Sequence, residues 1–181
     1  MTRPGETWPA IAAERLPLAA LVVLYVVPLA TIPGIAWAIG VLRGGYFITL
    51  PGTGEVVPLV RLAVAGILIV AVSVFSVAVL AGAFWAMSPL YGVQRDIRAT
   101  FKIAAYGTTP MWLAGAVLVS PRLALVMALA LFQTLYLYAD GLQELLGVTA
   151  SDAAELVGVA VMVLIALSIV LGAALSSWGV L

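Results

Sequence analysis

The eight acidic and eight basic residues of this 181-residue chain are spaced so unevenly that five intervals carry no charge at all. They are Leu16 to Leu42, Leu62 to Gln94, Ile103 to Pro121, Leu123 to Ala139 and Leu156 to Leu181, between 17 and 33 residues long. A helix needs about 20 apolar residues to cross the hydrocarbon core of a bilayer. Each interval is therefore a candidate span, and the connections between them are short. Charged residues are 9% of the sequence, where a soluble domain carries about a quarter. A water-soluble fold is excluded. The expected fold is all-α, a polytopic membrane helix bundle with five transmembrane helices and proline kinks in the first and third. It forms a single membrane domain over residues 1–181, with an interfacial segment at 1–15 and spans at about 16–42, 62–87, 103–119, 123–142 and 156–178.

The chain contains no His and no Cys. Thiolate zinc sites, axial His ligands, disulfides, Cys nucleophiles and Ser-His-Asp triads are thereby ruled out. Carboxylates, hydroxyls, phenols and amides remain, which suit hard cations or polar solutes better than covalent catalysis. No metal or cofactor is expected, and the zero net charge leaves no footprint for nucleic acid.

Arg3, Glu6, Glu14 and Arg15 make the first fifteen residues polar, with Trp8 and Ile11 placed for a short amphipathic helix at the headgroup level. The following apolar interval is too long for the core of a signal peptide and carries Pro28 and Pro33, so the segment is expected to be retained. Each of those prolines lacks an amide hydrogen and crowds the preceding turn, which predicts a kinked first span with loosened carbonyls at Leu24 and Leu29. The connection from Arg43 to Arg61 holds Pro51-Gly52-Thr53-Gly54 between short apolar runs. A hairpin or re-entrant loop and an irregular external loop both fit it.

The second span is expected to stop near Met87, before Ser88-Pro89, with Phe84, Trp85 and Tyr91 forming an aromatic belt. Ala78, Gly82 and Ala86 recur every four residues, a spacing that predicts close helix approach within the bundle. In the third span Pro110 frees the carbonyl of Tyr106, and Thr108 and Thr109 stand ready to occupy released backbone groups. The fourth interval gives only about 26 Å of helix, so either Arg122 snorkels or the helix runs on past Asp140 towards Leu146.

Basic residues in short loops set orientation. A cytoplasmic N-terminus places Arg3, Arg15, Arg95, Arg98 and Lys102 inside and leaves Arg43, Arg61 and Arg122 outside. This arrangement predicts an inner (plasma) membrane protein with an external C-terminus. Two groups of residues are candidates for function. The first is a polar or hinge site of Asp140, Tyr106, Thr108, Thr109, Pro110, Pro28 and Pro33. There an ionisable group near the membrane is costly unless paired or hydrated, and kinked helices expose carbonyls able to hold a cation. Asp140 at the headgroup boundary and Tyr106–Pro110 as a packing kink are the plain structural alternatives. The second is the cluster Arg95, Arg98 and Lys102, which can face anionic lipid or an acidic partner surface, or can serve topology alone.

Several of these segments also resemble the prokaryotic branch of the Ypt-interacting-protein (YIP) family. The resemblance lies in Pro4-Gly5-Glu6-Thr7-Trp8, in Pro28-Leu29-Ala30 with Ile32-Pro33, in Ala105 to Ala114 (AYGTTPMWLA), and in Tyr136-Leu137-Tyr138 ahead of Gly141-Leu142. Nearly the whole chain is covered, and Tyr-x-x-Thr-Pro is the most specific part. It implies a five-span protein with a cytoplasmic N-terminus. Eukaryotic relatives are associated with Rab-type GTPases through a long cytosolic N-terminal region, which this chain is expected to lack. Gly107 stands where a serine is common, and Asp140 where an apolar residue is commoner, so any role of Asp140 is particular to this protein. The reading that follows is a non-enzymatic membrane protein that binds or organises, working in the lipid bilayer with a membrane-protein partner or a second copy of itself. The alternative is a small ion or solute channel or transporter.

Overall fold

The computed structural model describes residues 4–43 and 59–177. The connection expected to be a hairpin or a loop lies outside them. Among the described residues all regular structure is helical, with no strand. A short helix, α1 (Pro4–Ala13), comes first. The first long helical stretch is built from α2 (Leu18–Leu21), one π-helical turn at Val22–Val26, and α3 (Val27–Leu42). Then come α4 (Leu59–Met87), a 3-10 turn at Ser88–Tyr91, α5 (Ile97–Gly107) and α6 (Thr109–Ala114). Two 3-10 turns, Gly115–Val119 and Pro121–Leu123, lead into α7 (Ala124–Leu146), and α8 (Ala150–Ser177) closes the described chain.

Four stretches are long and apolar enough to cross a membrane: Leu18–Leu42, Ala63–Tyr91, Leu125–Leu146 and Ala150–Val170. At about 1.5 Å per residue each exceeds the roughly 30 Å hydrocarbon core. Their outward faces carry Ile67, Phe132, Met162 and Ile169, all exposed. Helices satisfy their own backbone, so in lipid such faces incur no penalty.

The segment expected to form the third span is divided, and no single helix there is long enough to qualify. α5 stops at Gly107, Thr108 is a turn residue, and α6 restarts with Pro110 in its first turn. Proline fits a first turn because it has no amide to leave unpaired. The Thr108 carbonyl instead accepts the amides of Met111 and Trp112, at 3.0 and 3.3 Å. In the first stretch, Pro28 sits at the start of α3 directly after the π-helical turn, whereas Pro33 lies inside α3. α7 continues six residues beyond Asp140 to Leu146, where Gly147 takes a left-handed φ of 71° and ends it.

The chain separates into two compact units. One comprises residues 1–14, 76–104 and 137–181; the other comprises 15–75 and 105–136.

Candidate functional site

In the first unit α1 is seated by three contacts. Trp8 is 0% exposed, and its six-membered ring lies over the backbone of Gly141 on α7. A Cβ at position 141 would stand 2.7 Å from Trp8 Cζ2, so the indole fits only because that residue has no side chain. Ile11 is buried one turn further on. The third contact is Lys102, only 7% exposed. Its ammonium donates to the carbonyls of Ile11 (2.6 Å), Glu14 (2.7 Å) and Ala12 (3.3 Å). A helix end leaves carbonyls without intrahelical partners and carries partial negative charge, and a lysine has three donors to offer. Lys102 thus caps α1 from α5. It is not part of a surface with Arg95 and Arg98, contrary to what its sequence spacing suggested.

α5 begins where it does because the Asp96 carboxylate accepts the amides of Arg98 and Ala99, at 2.8 and 3.0 Å. Just before it, the Arg95 guanidinium stacks 4.6 Å above the Trp85 ring. Gln94, Arg95, Asp96 and Arg98, with Ile97, border a shallow pocket of about 480 Å³ whose other side is Leu145 and Leu146 at the end of α7. Glu155 on α8 lies near the Tyr91 hydroxyl. Deeper in the same unit, Tyr138 meets Phe84 edge-on with ring centroids 5.8 Å apart.

Asp140 is partly exposed, yet its Oδ2 is buried and has no hydrogen-bond partner. It is not a helix-end charge, since about 9 Å of α7 follows it. The indole nitrogen of Trp8 is likewise buried and unpartnered. Buried polar atoms in this condition are uncommon.

In the second unit two of the candidate residues, Tyr106 and Thr109, meet at Tyr25, a residue that sequence reasoning missed, whereas Asp140 belongs to the first unit. The Tyr25 hydroxyl shares a 2.7 Å hydrogen bond with Thr109, and its ring lies 4.6 Å from that of Tyr106, tilted by 53°. A lone tyrosine three residues before Pro28 was the signal available. Pro33 packs on Gly115, where a Cβ would fall 2.8 Å from the proline Cβ. Gly34 approaches α4 so closely that its Cβ would lie 3.0 Å from the Gly66 carbonyl oxygen. Pro28, whose carbonyl accepts the Thr31 hydroxyl at 2.7 Å, is exposed and joins none of these contacts. The expected close approach along Ala78, Gly82 and Ala86 is not made among the described residues: Ala78 and Ala86 are exposed, and a Cβ at Gly82 would meet nothing within 4 Å.

The sequence model of one family, the Yip1 domain, matches residues 1–173. The chain belongs to the Yip1 family. The match takes in α1 together with all four long apolar stretches, so the chain is a multi-pass membrane protein of that family. Comparison with curated proteins and with solved structures finds no match.

Proposed function

We propose that this Yip1-family protein acts by binding, organising a membrane complex or its lipid surroundings, and catalyses no reaction. The observation that carries this reading is the family match over residues 1–173 combined with polar groups committed to holding helices together, foremost Lys102 on α1 and Tyr25 on Thr109. The protein crosses a prokaryotic inner membrane five times, its N-terminus in the cytoplasm and its C-terminus outside. α5, α6 and the turn to Val119 make the third crossing. Residues 97–119 are helical at every position but Thr108, whose backbone angles of −74° and −13° stay right-handed, and the run is long enough to span.

Because the chain has no native cysteine, single-cysteine labelling has no background. With five crossings, an impermeant maleimide leaves Thr149→Cys unlabelled in intact cells and labels Ser177→Cys; a third segment that turns back reverses both. The binding role predicts proteins or lipids that copurify reproducibly with the chain. A second reading, transport, rests on the buried unpartnered oxygen of Asp140 inside a candidate span. Cation or proton flux in proteoliposomes that disappears with Asp140→Asn would establish transport and displace the binding role.

A further inference from the structure

The shallow pocket between the start of α5 and the end of α7 has a composition suited to one kind of ligand. Its level comes first: one wall follows directly on the apolar stretch that ends at Tyr91, and the other is the last two residues of the stretch that ends at Leu146. Two helices finishing together place the pocket where a bilayer's headgroups begin. Its charge comes second. Arg95 and Arg98 contribute two guanidiniums against the single carboxylate of Asp96, which also lines the pocket and accepts two amides through Oδ1 at the start of α5, so the lining keeps an excess of positive charge. The Trp85 ring, 4.6 Å from the Arg95 guanidinium carbon, gives that side chain a cation–π anchor, and the planar guanidinium fork matches the paired oxygens of a phosphate. The third point is the apolar side formed by Ile97, Leu145 and Leu146, which a free inorganic anion would leave unused.

We propose that Arg95 and Arg98 bind the phosphate of one anionic phospholipid, whose glycerol and first methylenes rest on Ile97, Leu145 and Leu146. The assignment rests on the membrane reading above and names a ligand for it. Anionic headgroups are favoured over zwitterionic ones because a choline ammonium would be pressed against two arginines. Lys102 takes no part, since its three donors are engaged on α1. Basic side chains near a membrane surface each add to attraction for anionic lipid, and the apolar side distinguishes a seated lipid from diffuse attraction.

The test is native mass spectrometry of the full chain in detergent with added dioleoylphosphatidylglycerol or dioleoylphosphatidylcholine. The expected result is retention of phosphatidylglycerol at least tenfold above phosphatidylcholine, lost in Arg95→Gln/Arg98→Gln and kept in Arg122→Gln. Should the double variant fail to accumulate, Arg98→Gln alone leaves the Arg95 stack in place and is expected to lower retention about threefold. Equal retention of both lipids, undiminished retention in the variants, or complete displacement by inorganic phosphate overturns the proposal. So does a variant that keeps the lipid but sheds a copurifying protein, because the pocket is then a protein-docking surface. Cysteine labelling at Thr149 and Ser177 in the same variants separates failure of the lipid site from failure of the membrane reading.

Discussion

Both units bring helices together around a glycine, but the glycines make room for different things. In the unit containing α1, the space at Gly141 is filled by an aromatic ring, Trp8, and the neighbouring attachment is a charge on carbonyls, Lys102. In the unit containing α3, the space at Gly34 and Gly115 is filled by backbone and by the Pro33 ring, and the polar link is a hydroxyl pair. The first arrangement suits a helix at the membrane edge, where an indole can be buried and an ammonium needs a partner. The second suits the apolar interior, where no hydrophobic force separates helix from lipid and close packing must hold helices together.

Trp8→Ala should break the first arrangement most severely. Truncating a buried aromatic costs about 3–5 kcal/mol, and α1 is expected to detach, seen as rapid tryptic cleavage after Arg15 in liposomes. Lys102→Met removes all three donors from the α1 carbonyls. A loss of about 2–3 kcal/mol is expected, with thermal unfolding in detergent and the same cleavage as readouts. In the second unit, Gly115→Ala should destabilise by about 1–3 kcal/mol through overpacking on Pro33. Combining it with Pro33→Ala should recover part of that loss in a double-mutant cycle; strictly additive losses would refute the contact. Tyr25→Phe, which removes one hydroxyl pair, should cost about 1 kcal/mol. Gly82→Ala should change stability by less than about 0.5 kcal/mol, because nothing stands within 4 Å of the added carbon; a large effect would move the second unit's style of packing into the first.

The uncharged intervals were enough to read an all-helical membrane chain, because length and charge exclusion are local properties of a bilayer-spanning helix. The division of the third segment was half legible. Pro110 announced a disturbance by its missing amide, but not that the helix restarts at once on the Thr108 carbonyl, which takes the amides of Met111 and Trp112. The small-residue repeat through Gly82 misled for a related reason: spacing places three residues on one face without saying whether a neighbour lies opposite, and the neighbours lie at Gly34, Gly115 and Gly141 instead. Lys102 was grouped with Arg95 and Arg98 by proximity in sequence. Its partners are about 90 residues away, a distance at which sequence pattern carries no information. Asp140 stands out in the sequence as a charge on a short interval, and its Oδ2 is buried without a partner, an arrangement that sequence alone does not encode.

The seating of α1 has a consequence for the order of assembly. Lys102 follows Ile11 by 91 residues, and Gly141 is made later still. At a synthesis rate of roughly 5–20 residues per second, α1 waits several seconds before either partner leaves the ribosome. Its docking therefore reports that α5 and α7 have been made, so a chain interrupted before α7 leaves Trp8 without its seat on Gly141.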